Sequence, residues 1–163
     1  MAAPFKGTVA LDGNLTEELL QTIATSPLFT NADLRVAPAS PGKAARLLAL
    51  MNHPSATLYV NLEEAGLLCQ TTFATSAEAA AALLKRGAHR VLVTDGGNAA
   101  SEGTADDIIS HTPPAVMVTR VTGAGDTFMA AHIASEAQGM TRIAALTRAG
   151  NAAATYVSGE TPL

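Results

Sequence analysis

The sequence predicts an α/β fold in three layers, in which a mainly parallel sheet carries helices on both faces. Short apolar, β-branched runs alternate with longer stretches of helical pattern along the whole chain. This alternation is typical of parallel strands joined by helical crossovers. With 163 residues, of which 48% are hydrophobic and 15% charged, the chain is long and apolar enough to bury a core. We therefore expect a single α/β domain over residues 1–163.

Each predicted strand is a short apolar run bounded by glycine, proline or small polar residues. In chain order the predicted strands are Thr8–Asp12, Leu34–Ala37, Thr57–Val60, His89–Thr94, two short strands near Asn98–Ser101 and Asp106–Ser110, and the extended run Ala115–Val121. Ligands of open parallel sheets bind beyond the carboxyl ends of the strands. The polar residues at the predicted strand ends are Asp12, Asn61, Thr94 and Thr122. We expect them to share one edge of the sheet.

The predicted helices begin at cap-type polar residues or at proline and end near glycine or a cation. In chain order they are a helix opening at Asn14, one from Pro41 to about Met51, Asn61–Cys69, an alanine-rich helix capped by Ser76 and ending at Lys85–Gly87, about Ala124–Gln138, and Thr141–Val157. Most of them follow a predicted strand, as crossover helices do.

Composition and charge exclude several functional classes. The net charge is −4 and there is no run of lysine or arginine, which argues against nucleic acid as a partner. The single cysteine, Cys69, cannot form an internal disulfide and fits a reducing compartment. The sequence shows no signal-peptide pattern and no apolar run of membrane-spanning length. We expect a cytoplasmic protein that binds neither membranes nor nucleic acid.

The segment Val121-Thr-Gly-Ala-Gly-Asp126 is the most informative part of the chain. An extended run leads into three small residues and then into a predicted helix. Backbone amides at the positive end of a helix form a site for an anion. A carboxylate beside bound phosphate is unfavourable unless it takes part in the chemistry, for example by accepting a proton from an attacking hydroxyl. The segment therefore predicts phosphoryl transfer. The alternative is a tight strand–helix turn in which Asp126 is a favourable first-turn charge.

The motif T-G-A-G-D-x-F resembles the C-terminal signature of the ribokinase-like (PfkB) carbohydrate kinases. The resemblance implies that Asp126 is the catalytic base and that Gly123, Ala124 and Gly125 form the anion hole for the transferred phosphate. A dinucleotide-binding interpretation of Gly123-x-Gly125 fails, because the third glycine of that fingerprint is replaced by Phe128.

Asn61 and Glu64 have the N-x-x-E spacing that the same family carries between its earlier strands and the later motif. The resemblance implies that Asn61 and Glu64 hold the magnesium–phosphate network, with Glu64 acting through water. One carboxylate suffices for such a site, because Mg²⁺ retains several waters. The alternative is an ordinary helix start, in which this spacing is also common.

The remaining candidate residues are also implied by the resemblance. Thr94 and Gly96 match the family's nucleotide segment T-x-G-x-x-G, whose last glycine is Ala99 here; the alternative is a hairpin turn at Gly96-Gly97. Asn151 lies in a small-residue stretch of the kind that borders the adenine in this family, and close helix packing is the alternative. Asp12 is either a substrate contact or the cap of the following turn.

The resemblance covers only the C-terminal half of a usual family member. It implies a partial ribokinase-like fold with no lid, the use of ATP and Mg²⁺, and a sugar or nucleoside as acceptor. The segments Leu11–Leu15 and Ala37–Lys43 are most similar to the pseudouridine-kinase branch. Arg120 replaces a residue that is often acidic at the family's monovalent-cation site, so we do not expect potassium activation.

Two expectations follow from this partial coverage. We expect a homo-oligomer, or a partner that carries the missing N-terminal half, because the sheet would otherwise keep an exposed edge or face. The alternative function is a truncated, non-catalytic nucleotide-binding or interaction module.

Overall fold

Six strands form one sheet in the order in which they occur in the chain. In the computed structural model, which describes residues 3–160, the strands are β1 (Thr8–Asp12), β2 (Asp33–Ala37), β3 (Ala56–Asn61), β4 (Arg90–Thr94), β5 (Ala100–Gly103) and β6 (Ile108–His111). The first four are parallel, and β5 and β6 continue the sheet as antiparallel hairpin strands. The prediction of a mainly parallel sheet is therefore confirmed. The ends of the predicted 1–163 domain lie outside the described residues.

Helices cover both faces of the sheet, as predicted. They are α1 (Glu17–Thr25), α2 (Leu62–Cys69), α3 (Ser76–Lys85), α4 (Ala124–Ala137) and α5 (Arg142–Ser158), together with 3₁₀ helices at Pro27–Phe29 and Pro41–Leu50. Alternate residues of a strand point to opposite faces: Leu58 and Val60 of β3 belong to the core beneath α1, α2 and α3, whereas Tyr59 belongs to the core beneath α4 and α5. Within residues 3–160, no helix is long and apolar enough to cross a membrane.

Side-chain caps fix the start of four of the five α-helices. Thr16, Thr75 and Thr141 each accept a hydrogen bond from a first-turn amide, as Asn61 does for α2. Ser76, which the sequence predicted as a cap, is the first residue of α3 instead. Its hydroxyl is buried and donates to the carbonyl of Ala99. α4 is the exception, because Gly123 has no side chain with which to cap it.

The segment predicted as a helix from Pro41 to about Met51 forms a ten-residue 3₁₀ helix, Pro41–Leu50. Its buried residues, Ala44, Leu47 and Leu50, are spaced by three. A helix with three residues per turn places all of them on one line against the core. The buried pattern therefore fits the tighter helix better than an α-helix.

The extended run Ala115–Val121 is not a strand of the sheet, so this part of the strand prediction is wrong. The amides of Thr119 and Arg120 donate to the carbonyl of Val157 at the end of α5. The run is exposed to solvent throughout. Two prolines, Pro113 and Pro114, precede it and supply no amide hydrogen for continued pairing with β5 or β6. The run serves as a connection from β6 to α4, and Thr122 does not lie at a strand end.

The layer formed by α4 and α5 covers only part of its side of the sheet. α4 packs against β3, and α5 packs against β5 and β6. In β1, Thr8, Ala10 and Asp12 are exposed on this side, whereas Val9 and Leu11 pack into the opposite core. Within the described residues β1 pairs only with β2, so it presents a free edge and an uncovered face.

Candidate active site

The N-terminus of α4 lies at the carboxyl edge of the parallel strands. Glu136, near the end of α4, contacts Arg90 at the start of β4, and His132, one turn earlier, contacts Tyr59 further along β3. α4 therefore runs opposite to these strands. Its first turn, with Asp126, is directed towards the edge at which β3 and β4 end in Asn61 and Thr94.

The first turn of α4 presents backbone amides without acceptors. The Ala124 amide donates to the carbonyl of Val121 at 3.1 Å, and the Thr127 amide to that of Gly123 at 2.9 Å. The amides of Gly125 and Asp126 have no backbone or side-chain acceptor within residues 3–160. Together with the helix dipole they form a site for an anion. Of the predicted anion-hole residues, Gly125 thus contributes an open amide, whereas the Ala124 amide is already bonded.

Tyr156, on α5, holds the loop that precedes α4. Its hydroxyl donates to the carbonyl of Thr122 at 2.8 Å. Gly123 adopts φ +94°, and a Cβ at this position would lie 2.6 Å from the Tyr156 hydroxyl oxygen. Arg120 stacks on the Tyr156 ring with its guanidinium carbon 4.0 Å from the ring centroid. No local pattern indicates this role of Tyr156, which lies 34 residues from its acceptor.

Asn61 and Glu64 form a capping box at the start of α2. The Glu64 amide donates to Asn61 Oδ1 at 2.8 Å, and the Asn61 amide donates to Glu64 Oε2 at 2.9 Å. The alternative interpretation as a helix start is therefore realised in the structure. Burial raises the pKa of Glu64 above its ordinary value.

A magnesium ion fits this site only through water. Glu64 Oε1 makes no hydrogen bond within the described residues and is left to accept from a metal-bound water. Among residues 3–160, no group of three or more histidine, cysteine, aspartate or glutamate side chains is arranged to hold a metal directly. Mg²⁺ bound mainly by phosphate and water needs no such group.

Thr94 lies directly beside Asn61, because the two residues are partners in the parallel register of β3 and β4. The turn after Thr94 leads into antiparallel β5, with the Asn98 amide donating to the carbonyl of Asp95 at 2.8 Å. Gly96 adopts φ +54° there, and a Cβ would meet no atom within 4 Å. The hairpin interpretation is thus realised, and the turn remains open to a ligand.

Asp12 and Asn151 are the two candidates with weaker structural support. Asp12 ends β1 on the same sheet edge and accepts from the Asn14 amide at 2.8 Å, so it caps the following turn. Asn151 is exposed on α5 and lines an open, mostly apolar cavity of about 410 Å³. The neighbouring Gly150 is buried, with its Cβ position 3.2 Å from His111, which supports close packing as the role of that stretch.

Sequence reasoning missed a buried charge cluster beneath α4. It comprises Arg35, Tyr59, Arg90, Glu102, His132, Glu136 and Arg142. One signal could have revealed it: charged residues lie within buried strands, as in Arg35 of β2 and Glu102 of β5. Buried charges require partners, so such residues predict a paired cluster even where their partners are distant in sequence.

Comparison with known proteins identifies the family of the chain. A model of the pfkB family of carbohydrate kinases matches residues 6–161. The chain belongs to this family. The match includes the T-G-A-G-D segment and the N-x-x-E spacing, so the predicted family is confirmed. The pseudouridine-kinase branch remains a prediction.

Solved structures of pfkB-type kinases share the fold. A carbohydrate kinase from Agrobacterium tumefaciens is 28% identical to this chain, with a TM-score of 0.72. The match covers 89% of this chain and 46% of the kinase. A ribokinase from Thermotoga maritima is 20% identical with a TM-score of 0.74, with coverages of 93% and 50%. An adenosine kinase from Sinorhizobium meliloti is 17% identical with a TM-score of 0.77, with coverages of 92% and 48%. The chain thus spans about half the length of these structures. A comparison with curated proteins finds no match.

Proposed function

We propose that this pfkB-family chain forms the nucleotide-binding half of an ATP-dependent kinase that phosphorylates a hydroxyl group of a sugar or nucleoside. One observation carries the proposal: the open amides of Gly125 and Asp126 meet the Asp126 carboxylate at the carboxyl edge of the sheet. An anion site with an adjacent, exposed carboxylate matches the needs of phosphoryl transfer from a bound nucleotide.

In this mechanism, Asp126 takes the proton from the hydroxyl group of the sugar or nucleoside. The oxygen of that hydroxyl group attacks the γ-phosphorus in line. The bond from the γ-phosphorus to the bridging oxygen breaks, and ADP leaves with the bonding electrons. The open amides of Gly125 and Asp126 stabilise negative charge on the transferred group. Thr94 and Gly96 contact the phosphates and sugar of the nucleotide, and Asn151 lies near its base. Asn61 and Glu64 would hold Mg²⁺ through water, and that ion would neutralise phosphate charge when bound.

The acceptor we propose is a nucleoside or another ribosyl compound, as in the pseudouridine-kinase branch. The support comes from the segments Leu11–Leu15 and Ala37–Lys43, which meet at the ends of β1 and β2. There Asp12 partners Ala37 in register, and Lys43 Nζ donates to Asn14. Of the residues in these two segments, Asp12 is the best placed to accept a hydrogen bond from a substrate hydroxyl.

We propose that activity requires a further polypeptide beside β1. The exposed Thr8, Ala10 and Asp12 leave the sheet open where it ends, and parallel sheets are normally covered on both faces. A second copy or a polypeptide corresponding to the other half of the relatives would supply that cover. The same open face favours the alternative function, a nucleotide-binding or interaction module without catalysis.

Isothermal titration of Mg-ATP into the purified chain tests the nucleotide site. The decisive variant is Gly125→Val, because a Cβ at Gly125 meets no protein atom within 4 Å and so blocks the anion without displacing the fold. Gly42→Val is the matched control, since Gly42 is equally unobstructed but lies in the 3₁₀ helix Pro41–Leu50. We expect Gly125→Val to weaken binding at least about tenfold and Gly42→Val to leave it unchanged.

Two other results would change the assignment. Equal binding by wild type and Gly125→Val would refute the anion site at α4. Tight binding without phosphoryl transfer to any acceptor, even with the complementary half added, would favour the non-catalytic module.

A further inference from the structure

The buried charge cluster defined above connects α4 to four strands. Glu136 Oε2 accepts from Arg35 Nη1 of β2 at 2.6 Å, and Glu136 Oε1 accepts from Arg90 Nη2 of β4. His132 Nδ1 lies 2.8 Å from the Tyr59 hydroxyl of β3. His132 Nε2 lies 3.5 Å from Glu102 Oε2 of β5. The two α4 side chains that make these contacts are one helical turn apart.

The proton arrangement in the cluster follows from its donors. Arg35 Nη1 donates to the Tyr59 oxygen at 2.9 Å, since a guanidinium cannot accept. Burial raises the pKa of Tyr59 to about 12, so its hydroxyl keeps its proton. That proton is directed to His132 Nδ1, the neighbouring acceptor at 2.8 Å. His132 then carries its hydrogen on Nε2 and faces Glu102.

α4 contributes Phe128 and Met129 to the core beneath it, and its partly buried Ala131 and Ile133 pack against the same core. Its buried residues are Phe128, Met129, His132 and Ser135, of which two are apolar. Apolar contacts are non-directional, whereas hydrogen-bonded charges specify one register, a role attested for buried polar groups in other helical proteins. The cluster therefore has the geometry to set where the first turn of α4 lies.

We propose that Glu136 and His132 are positioning residues that place the Gly125 and Asp126 amides relative to the strand ends at Asn61 and Thr94. Asp126 lies ten residues before Glu136 on the same helix, a distance of about 15 Å along the axis. A change of helix register at Glu136 is carried to Asp126 because the helix is rigid over that length. The catalytic consequence rests on the proposed function, whereas the placement of the amides does not.

The test compares Glu136→Gln and His132→Leu with Arg142→Gln. Arg142 belongs to the same cluster and bonds Glu102 and Asp107, and in the described part of the chain it makes no hydrogen bond or ion pair with α4. Amide chemical shifts and hydrogen exchange of nucleotide-free protein are measured at Gly123–Asp126, with thermal unfolding measured alongside. We expect Glu136→Gln and His132→Leu to shift the Gly125 and Asp126 amides and to speed their exchange. Arg142→Gln should leave the shifts and exchange rates of these amides unchanged, even if it lowers the thermal stability as much as the α4 variants do.

A conservative variant distinguishes displacement of the amides from a general loss of folded structure. His132→Asn retains an acceptor for the Tyr59 hydroxyl, so it should restore the wild-type amide shifts that His132→Leu loses. In calorimetry, Glu136→Gln should weaken Mg-ATP binding about tenfold, as misplacement of a binding site does. Unchanged Gly125 and Asp126 shifts in both α4 variants, or equal shifts in Arg142→Gln, would overturn the proposal. Absence of Mg-ATP binding by the wild type would instead refute the nucleotide site and leave the shift measurements to decide the placement.

Discussion

Two glycines of one motif have different physical roles. Gly123 is required by the backbone, because φ is +94° and the Tyr156 hydroxyl occupies the place of a Cβ. Gly125 faces open space, and its role is to leave room for a ligand next to its amide. The same residue type in T-G-A-G-D thus serves local folding at one position and binding at the other.

This difference predicts opposite effects of alanine on stability. Gly123→Ala should lower the free energy of unfolding by about 1–3 kcal/mol, since alanine is strained at positive φ and would displace Tyr156. Gly125→Ala should raise it by a few tenths to about 1 kcal/mol, because alanine is the better helix former. Urea denaturation measures both. A change of stability in the same direction in both variants would contradict these separate roles of Gly123 and Gly125.

Asp126 is exposed in the first turn of α4 and has no hydrogen bond to another residue in the described part of the chain. If it is the base, Asp126→Asn in the active assembly should lower turnover by roughly 10²–10⁴-fold with little change in nucleotide affinity. Steady-state kinetics with calorimetry measures the two quantities separately. Unchanged turnover would remove Asp126 from the mechanism.

Among the secondary-structure elements, α4 is joined to the sheet by buried charges as well as by the apolar side chains of Phe128 and Met129. Glu102, fully buried on β5, accepts from Arg90 at 2.7 Å and from Arg142 at 2.9 Å. Burial alone would raise the pKa of Glu102, but the neighbouring His132 ring and the guanidinium groups of Arg90 and Arg142 outweigh it and lower the pKa to about 2. Glu102 is therefore ionised in the native protein at neutral pH.

This lowered pKa predicts a loss of stability in acid. The ordinary pKa of the carboxyl is 4.5, so the stabilisation is fully present above that pH and is lost as the pH falls from 4.5 towards 2. The total loss should be on the order of 3 kcal/mol. Urea unfolding between pH 7 and pH 2.5 measures it. Glu102→Gln should be less stable at pH 7 and should show a shallower acid dependence; an equally steep dependence would contradict this role of Glu102.

The sequence predicted the elements more completely than it predicted their packing. Period-two and helical patterns, with caps such as Thr141, located all six strands and all five α-helices to within a few residues, because these signals are local. Ala115–Val121 had a strand's composition, but pairing depends on available neighbours, and prolines 113 and 114 direct the chain away from the sheet. The contacts of Glu136 with Arg35, 101 residues away, leave no local signal.

Some features of the candidate site could be predicted from the sequence, and others depend on contacts between distant residues. The N-x-x-E and T-x-G-x-x-G patterns identified two loops that lie side by side at the sheet edge, because parallel register places Asn61 beside Thr94. The bonded state of the Ala124 amide and the clamp formed by Tyr156 depend on three-dimensional contacts. They could not be predicted from residue types alone.

At the scale of the whole molecule, the sheet is open at β1. One side of β1 faces the core through Val9 and Leu11, and the other side is exposed. Exposed apolar residues also lie on the connection before α4, where Met117 is 82% and Val121 72% exposed. Surfaces of this kind are typical of contacts with another polypeptide.

We expect the isolated chain to self-associate with increasing concentration through the open side of β1. Ala10→Lys places a charge in the centre of this exposed face and should weaken the association about tenfold or more, because burying an unpaired ammonium is unfavourable. Ala45→Lys, exposed on the 3₁₀ helix of the opposite layer, is the control and should have no effect. Sedimentation equilibrium measures both. A chain that stays monomeric, or equal effects of the two lysines, would exclude β1 as the contact.

Whether the N-terminus of α4 binds the phosphates of a nucleotide can be measured residue by residue in an NMR titration of the labelled chain with Mg-ATP. We expect the largest amide shift changes at Gly125 and Asp126, accompanied by changes at Thr94 and Gly96 across the sheet edge. Changes confined to the α5 cavity around Ile143, or none at millimolar nucleotide, would contradict this expectation.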